Sequence, residues 1–276
     1  MPTDLIVTDP ALATVCVQTW HAGVSTSGTD VVATEVPVAL EYNGLAHAVM
    51  LATPQDLEDF ALGFSLTEGI LQRPADLFDC DIVERADGIA LQLRIAGDCF
   101  AGLKDRRRSM TGRTGCGLCG AETLQQAIRQ PSAVSSAAHF SATALRDGMA
   151  AMQQQQRLQQ ATGATHAAAW LDADGSVAYV REDVGRHNAL DKLLGVLARA
   201  ELDLSCGAVL LTSRASYEMV QKAATMGIGM LAAISAPTSL AVALAQRTQI
   251  TLVGFMRAQH HVVYSHPQRL RESEST

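Results

Sequence analysis

Two cysteines separated by two residues are the most reactive side chains that the sequence offers. Cys116 and Cys119 stand in the segment Gly112-Arg-Thr-Gly-Cys-Gly-Leu-Cys-Gly120, where four of nine residues are glycine. Glycine backbones let another molecule approach the thiols closely. Residues 104–113 hold five basic side chains and one acid, and this net charge of +4 favours the thiolate form. The pattern predicts that a thiolate attacks a donor persulfide and then hands on its outer sulfur.

Three other kinds of protein also carry a CxxC pair. Structural zinc takes four ligands, but the chain has no second CxxC, and His260-His261 is its one close histidine pair. A thioredoxin-like pair would directly follow a strand, whereas a basic segment precedes Cys116. Zinc deaminases need His-x-Glu and a proline before the first cysteine; the chain has no His-x-Glu, and Gly115 precedes Cys116. Structural zinc and dithiol redox chemistry stay open as alternatives, and deaminase chemistry is not expected.

Polar residues follow the predicted strands in the second half of the chain. The hydrophobic pattern predicts strands at 166–171, 177–181, 208–212, 230–234, 250–255 and 262–264, and helices at 189–200, 217–226 and 239–246. This alternation favours a layered α/β domain with a largely parallel core. Ligands bind outside the carboxyl ends of such strands. Arg186, Arg214 and Arg257 follow strands there, close to helix starts, and so predict an anion site for phosphate groups.

The first half of the chain predicts an α+β region. Residues 1–28 lack periodicity and are expected to be a loose N-terminal arm. Turns at Asn43-Gly44 and Asp87-Gly88 predict two hairpins, with strands at 31–41, 45–51, 81–84 and 88–95. We expect Thr53 to cap a helix, residues 104–108 to form a basic loop, a short helix to span 121–130, and another helix to begin near residue 141. The predicted division is an arm over 1–28, an α+β region over 29–135 that ends in the CxxC loop and a short helix, and an α/β domain over 136–276.

Composition limits the classes of protein to which the chain can belong. The net charge of −7 argues against a nucleic-acid-binding surface. No Lys or Arg occurs before Arg73, so no basic start of a secretory signal is present. The apolar stretches are too short for a transmembrane helix. We therefore expect a cytoplasmic protein without nucleic-acid or membrane partners. The remaining four cysteines, at positions 16, 80, 99 and 206, are expected to be small buried hydrophobic residues.

Six motifs in order match one family together. They are Thr67-Glu-Gly-Ile70, the CxxC segment of residues 112–120, Glu182-Asp-Val-Gly-Arg-His-Asn-Ala-Leu-Asp-Lys192, Ser213-Arg-Ala-Ser-Tyr-Glu-Met-Val-Gln-Lys-Ala224, Ser235-Ala-Pro-Thr-Ser-Leu-Ala241 and Leu252-Val-Gly-Phe-Met-Arg257. From about residue 31 to residue 267, the sequence closely resembles the formate dehydrogenase accessory sulfurtransferases, the FdhD family.

The resemblance implies a fold, a reaction and partners. The fold would be a cytidine-deaminase-like layered α/β domain without zinc chemistry, preceded by a smaller α+β region, in a homodimer. The sulfurtransferase would take sulfur from a cysteine desulfurase and pass it to the molybdenum bis(molybdopterin guanine dinucleotide) cofactor, which formate dehydrogenase needs in sulfurated form. No structural metal is implied. The alternative is a chaperone without catalytic activity that holds the same cofactor for formate dehydrogenase.

The resemblance also assigns roles to particular residues. Cys116 would carry the persulfide, and Cys119 would assist it or resolve it. The family's cofactor-binding stretch corresponds to Phe255, Met256, Arg257, Ala258, Gln259 and His260. Pyrophosphate groups of the cofactor would suit Arg186, Arg214 and Arg257. We further expect Glu182 and Asp183 to hold Arg186 in place, and His187 either to contact the cofactor or only to cap the following helix with Asn188.

Overall fold

The computed structural model describes residues 9–111, 131–257 and 260–271. Its strands are β1 (Leu12–His21), β2 (Val24–Ala33), β3 (Val36–Tyr42), β4 (Leu45–Ala52), β5 (Leu77–Arg85), β6 (Gly88–Ile95), β7 (Phe140–Ser141), β8 (His166–Leu171), β9 (Val177–Asp183), β10 (Ala208–Leu211), β11 (Met230–Ala233), β12 (Thr251–Arg257), β13 (His260–Ser265) and β14 (Leu270–Arg271). Its helices are α1 (Leu57–Thr67), α2 (Gly97–Thr111), α3 (Ala142–Gln155), α4 (Arg157–Thr162), α5 (Arg186–Arg199), α6 (Tyr217–Thr225) and α7 (Ser239–Arg247).

A six-stranded sheet organises the second half of the chain, in the order β13-β12-β11-β10-β8-β9. Strands β10, β11 and β12 pair in parallel, whereas β8 is antiparallel to both β9 and β10. Strand β9 therefore runs in the same direction as β10, β11 and β12. One edge of the sheet collects the carboxyl ends of these four strands and the start of β8. We call it the carboxyl edge.

The strand predictions for this half are confirmed to within a few residues, but the expected largely parallel core is wrong in part. Parallel pairing is confined to β10, β11 and β12. Strands β8 and β9 are joined by a short turn at Gly175, and such a short connection permits only antiparallel pairing. Strand β13 likewise returns antiparallel to β12.

Helices cover both faces of the six-stranded sheet. Helices α5, α6 and α7 pack on one face, in a cluster that includes Trp170, Leu193 and Met219. Helix α3 covers the opposite face, in a cluster that includes Leu145 and Leu210. The sheet is therefore buried on both sides, which explains its nearly continuous apolar strands.

The first half forms a second sheet in the order β4-β3-β6-β5, packed on helix α1. Helix α1 in turn crosses α5 at two glycines. A Cβ atom on Gly63 would lie 1.8 Å from the Asp191 carbonyl oxygen, and one on Gly195 would lie 1.8 Å from the Asp59 carbonyl oxygen. The backbones of the two helices can approach this closely only because both positions lack a side chain. Helix α5 is thus packed between the two halves.

Both hairpins predicted in this region are confirmed. Asn43 and Gly44 have φ angles of 47° and 81°, the positive values that a two-residue hairpin turn requires. Strands β5 and β6 pair across the Asp87-Gly88 turn. The helix start predicted near residue 141 is also confirmed, because the Ser141 hydroxyl accepts the Ala144 N–H.

Three expectations for the first half are wrong. Residues 12–33, where most of the loose arm was expected, form the β1–β2 hairpin. Residues 104–108, expected as a loop, have a helical backbone in α2, because Cys99 and Leu103 bury one face of that helix one turn apart. Thr53 does not cap α1, which begins at Leu57 after Asp56; the backbone of Thr53 is held instead by Asp183 and Lys192.

Within the described residues, no helix is both long enough and apolar enough to cross a membrane.

A candidate anion site at the carboxyl edge

Three arginines predicted as anion ligands lie at ends of strands or starts of helices along the carboxyl edge. Arg186 is the first residue of α5, Arg214 follows β10, and Arg257 ends β12. Arg214 and Arg257 are exposed, and Arg186 is half-buried. None of the three forms an ion pair with a carboxylate in the part of the chain that the structure describes. The Arg186 Nε–H is buried, with no hydrogen-bond partner among those residues.

Two of these arginines act electrostatically on the same histidine, His166. This histidine begins β8, whose start lies at the carboxyl edge. Burial lowers its pKa, and the positive charges of Arg186 and Arg214 lower it further. A bound anion would offset that positive potential. The sequence alone does not place His166 at this edge, because nothing local shows that β8 runs antiparallel to its neighbours.

His187 joins the starts of two helices at this edge. Its Nε2 lies 2.8 Å from the Glu218 Oε2, and the Ser216 hydroxyl donates to the same oxygen at 3.2 Å. Gly185, not His187, is the cap residue of α5. The side chain of Asn188 turns back to Asp183 and to the Leu51 carbonyl oxygen.

Glu182 and Asp183 do not hold Arg186 by direct contact, contrary to expectation. The Glu182 carboxylate accepts the N–H groups of Leu158 and Gln159 and the Thr165 hydroxyl, so it anchors the start of α4. Asp183 is engaged with the turn after β9 and with Lys192. Buried carboxylates need hydrogen-bond partners, and both of these have them. Neither forms a hydrogen bond or ion pair with the Arg186 guanidinium.

The end of β12 carries an unusual backbone conformation. Phe255 has a φ of 53°, in the left-handed region that non-glycine residues rarely adopt, and the pairing with β13 shifts register there. The preceding Gly254 admits a close neighbour, since a Cβ atom would lie 2.9 Å from the Pro237 Cδ. Strain of this kind often accompanies ligand sites. The left-handed conformation of Phe255 changes the direction of the backbone just before Arg257.

The residues of the predicted cofactor-binding stretch differ in their surroundings. The Phe255 and His260 rings lie 6.3 Å apart between centroids. The Met256 side chain is 1% exposed and packs in the core against the α3 face. The Arg257 side chain is exposed. Ala258 and Gln259 lie outside the described residues, so their predicted role stays a prediction.

Two adjoining cavities open between α3, α4 and the carboxyl edge. One, of about 600 Å³, is lined by Arg146, Met256 and Arg257 among others, and the other, of about 550 Å³, by Gln156, His166 and Thr212 among others. Gln153 and Ile234 line both. Cavities of this size suit nucleotide-sized ligands. Two glutamines of the run at 153–156, Gln153 and Gln156, therefore line a cavity wall.

The reactive pair predicted from the sequence, Cys116 and Cys119, lies outside the described residues, as does the predicted helix at 121–130. The helix that precedes the pair, α2, is held where α1 ends. The two terminal nitrogens of the Arg106 guanidinium donate there: Nη1 at 3.4 Å to the Glu68 carbonyl oxygen and Nη2 at 2.9 Å to the Gly69 carbonyl oxygen.

The other four cysteines differ in burial. Cys99 is buried, while Cys80 and Cys206 are half-buried. Burial raises the pKa of the Cys80 thiol to about 11, which keeps it protonated and unreactive near neutral pH. Cys16 is exposed on β1, so its expected burial is wrong. The hairpin that carries it has no covering layer among the described residues.

Comparisons with known proteins agree with the motif pattern. The model of the FdhD/NarQ family matches residues 33–271. Sulfur carrier protein FdhD of Cupriavidus necator is 60% identical over 266 residues, covering 96% of this chain and 92% of the relative. Sulfur carrier protein FdhD of Bordetella petrii is 60% identical over 242 residues, covering 88% and 87%. The same-named protein of Xanthomonas campestris pv. campestris (strain B100) is 52% identical over 250 residues, covering 91% and 89%.

A solved structure shares the fold. It belongs to a candidate formate dehydrogenase accessory protein from Desulfotalea psychrophila, with a TM-score of 0.73 and 24% identity, and the match covers 95% of this chain and all of that one. The mixed α/β architecture with several sheets is therefore common to both chains. The family match and the 60% identical relatives confirm the resemblance that the six motifs carry: the chain belongs to the FdhD/NarQ family.

Proposed function

We propose that this protein is a sulfurtransferase that carries sulfur as a persulfide on Cys116. The Cys116 thiolate attacks the outer sulfur of a persulfide on a cysteine desulfurase. A new sulfur–sulfur bond forms at Cys116, the donor's sulfur–sulfur bond breaks, and the donor cysteine leaves as a thiolate. No external oxidant or reductant is consumed in this exchange. Cys119 assists the reaction or resolves the persulfide.

The observation that carries the proposal is the glycine-rich, basic CxxC segment in a chain whose relatives are named sulfur carriers. Surrounding positive charge lowers the pKa of a thiol, so the segment has the composition of a reactive thiolate site. Four of the basic residues in the stretch before the pair, Lys104 and the arginines at 106–108, belong to α2, and Arg106 is hydrogen-bonded to the end of α1.

The sulfur acceptor is proposed to be the molybdenum bis(molybdopterin guanine dinucleotide) cofactor, bound as a substrate at the carboxyl edge. Its pyrophosphate groups are anions, and Arg186, Arg214 and Arg257 are cations without a carboxylate partner in the described chain. The buried, unpartnered Nε–H of Arg186 supports this proposal, as do the two cavities, of which one is lined by Arg257 and the other by His166. Formate dehydrogenase would be the enzyme served, and we expect the protein to act as a cytoplasmic homodimer.

A chaperone that only binds the cofactor is the alternative, because the same arginines and cavities would serve binding without transfer. The two functions differ in what Cys116 must do. Replacing Cys116 with alanine should abolish maturation of formate dehydrogenase if sulfur is carried, and should leave it largely intact if the protein only holds the cofactor.

Intact-protein mass spectrometry tests the carrier step. Reduced protein is incubated with a cysteine desulfurase and free cysteine, and wild type is compared with Cys116→Ala and Cys119→Ala by peptide mapping. We expect a reductant-labile gain of one sulfur that is absent from Cys116→Ala. If an active desulfurase adds no sulfur to either cysteine, the transfer mechanism is wrong and the chaperone is the better account.

A further inference from the structure

Among the polar residues at the start of α5, Arg186 is the one whose side chain is held least by hydrogen bonds and ion pairs. Its Nε–H is buried without a described partner, and no described carboxylate pairs with its guanidinium. A side chain in this situation can be placed accurately only if the backbone that carries it is fixed. The position of Arg186 therefore depends on the contacts that fix the turn between β9 and α5.

Asp183 holds that turn through hydrogen bonds to its side chain. Its side chain is fully buried at the last position of β9. The Oδ1 atom accepts the Gly185 N–H at 2.7 Å and the Asn188 Nδ2–H at 3.0 Å. These two donors flank Arg186 in the chain, one before it and one half a helical turn after it. The carboxylate thus holds the Gly185 backbone before Arg186 and the Asn188 side chain after it.

The other oxygen of the same carboxylate holds the two halves of the protein together. The Asp183 Oδ2 accepts the Thr53 N–H at 3.0 Å and lies 2.7 Å from the Lys192 Nζ. Lys192, which is fully buried, also donates to the Thr53 carbonyl oxygen at 2.9 Å. Lys192 lies on α5, so the helix is attached to Asp183 near its start and again nearly two turns later.

We propose that Asp183 is a positioning residue for the anion site: through Gly185, Asn188 and Lys192 it fixes the start of α5, and so places the Arg186 guanidinium and the free backbone N–H groups of that helix against a phosphate group. The inference rests on the proposed binding of the guanine-dinucleotide cofactor. Asp183 touches no ligand in this account and acts only through its neighbours.

The chemistry of the contacts explains why a carboxylate is needed here. Both oxygens of Asp183 face only donors: two N–H groups at Oδ1, and an N–H group and an ammonium at Oδ2. An asparagine would turn its NH₂ group toward donors in either orientation, and it would leave the Lys192 charge buried without a carboxylate partner. Asp183→Asn alone is therefore expected to fold poorly.

A milder variant, Asn188→Ala, tests the inference in a folded protein. It removes the hydrogen bond across Arg186, together with the one to the Leu51 carbonyl oxygen, and keeps the pair between Asp183 and Lys192. GDP serves as the probe for one guanine-nucleotide end of the cofactor, with its affinity measured by calorimetry. The expected result is an about tenfold higher Kd for GDP, which corresponds to the loss of about one hydrogen bond between the protein and the nucleotide. Persulfide loading of Cys116 should be unchanged.

The matched control is Tyr42→Phe. It removes a different buried hydrogen bond, the 2.8 Å contact between the Tyr42 hydroxyl and Ser65 Oγ, in the core of the first half. Both variants should lower the melting temperature, but only Asn188→Ala should weaken GDP binding. The double change Asp183→Asn with Lys192→Met removes the unpaired charge and keeps an oxygen at the Oδ1 position, so it should fold and bind GDP better than Asp183→Asn alone.

Each result decides a separate point. Wild-type affinity for GDP in a folded Asn188→Ala protein would overturn the positioning role, as would an equal loss of affinity in Tyr42→Phe. Failure of the wild-type protein itself to bind GDP would overturn the proposed cofactor binding, and this inference with it. Wild-type persulfide loading in all variants separates that failure from a failure of the carrier step.

Discussion

Single residues at the carboxyl edge divide into arginines without a described carboxylate partner and charged residues that hold other residues. The arginines at positions 186, 214 and 257 have no described carboxylate partner, whereas the neighbouring charged residues Glu182, Asp183 and Lys192 are buried and satisfied. Charged groups are left without a protein partner where a ligand supplies the opposite charge. Charge neutralisation at the unpaired arginines is therefore the basis of the binding predictions.

Arg186→Ala should weaken GDP binding about ten- to hundredfold, because hydrogen bonds to charged groups contribute about 1.5–3 kcal/mol. Arg186→Lys should restore it only in part, since an ammonium lacks the planar fork that matches a phosphate. Calorimetric titration with GDP measures both. Arg94→Ala is the control, because Arg94 is 69% exposed and lies on β6 of the other sheet. An equal loss in the control would contradict the assignment of Arg186.

His166 should report on occupancy of the site through its pKa. Burial and the charges of Arg186 and Arg214 hold that pKa below 6.5 in the free protein. Between the lowered pKa and 6.5 the folded protein binds fewer protons than the unfolded chain, so its stability increases as pH rises through that window. A bound phosphate offsets the arginine charges, so GDP should raise the His166 pKa and bind with uptake of a proton.

NMR titration of the His166 ring, with and without GDP, measures this shift. Arg214→Ala should raise the pKa in the free protein, because it removes one of the two charges that lower it. A His166 pKa at or above 6.5 in the free protein, and unaffected by GDP, would contradict the shared electropositive site.

Among the helices and strands, α5 makes contacts with the carboxyl edge, the six-stranded sheet and α1. It begins with Arg186 at the carboxyl edge, packs on the six-stranded sheet through residues such as Leu193, and meets α1 backbone to backbone at Gly63 and Gly195. A displacement of α1 relative to α5 would be transmitted to Thr53 and from there to Asp183. The helix crossing is thus a structural requirement for the site.

Gly195→Ala should destabilise the protein by about 2–3 kcal/mol or more, because the added methyl group meets the Asp59 backbone at 1.8 Å and one of the helices must move. Gly102→Ala on α2 is the matched control. No atom lies within 4 Å of a Cβ there, and alanine favours a helix over glycine by up to about 1 kcal/mol. Urea unfolding of both variants measures the difference. Similar stability for the two would contradict the close crossing of α1 and α5.

The elements show how far local sequence reasoning reaches. Strands β8 and β10–β12 were predictable because continuous apolar runs end at Gly, Ser or charged residues. The place of Arg214 and Arg257 at the carboxyl edge was predictable because they stand at the ends of such runs. The β1–β2 hairpin was not, because a ribbon without a buried face has no apolar alternation to read. Thr53 has the sequence of a helix cap, but a buried partner 130 residues away, Asp183, binds its backbone instead.

For the whole molecule, the predicted boundary between residues 135 and 136 is crossed by two buried ionic networks. In one, Asp183 and Lys192 hold Thr53; in the other, Lys222 pairs with Asp191 at 2.9 Å, and Thr67 donates to Asp191 at 2.8 Å. The first half supplies the Thr53 and Thr67 hydrogen bonds to these buried charges, and a buried polar group that loses its hydrogen-bond partner destabilises the fold. The two halves therefore depend on each other for stability.

We expect both halves to unfold together. Calorimetry should show one transition, with a calorimetric enthalpy equal to the van't Hoff enthalpy. A fragment of residues 136–276 should fail to fold, because Asp183, Asp191, Lys192 and Lys222 would lose the partners that α1 and its flanks supply. Two separated transitions, or a folded fragment, would show that the halves are independent domains.

Delivery of the Cys116 sulfur to the cofactor is the most direct test of the proposed function. The protein is loaded through a cysteine desulfurase with cysteine labelled with ³⁴S, freed of the donor, and mixed with formate dehydrogenase whose cofactor lacks the added sulfur. Mass spectrometry of the cofactor and formate oxidation are then followed together. We predict that ³⁴S appears on the cofactor as activity rises, and that Cys116→Ala produces neither. Full activation by Cys116→Ala, or activation of the dehydrogenase without ³⁴S in its cofactor, would contradict the account.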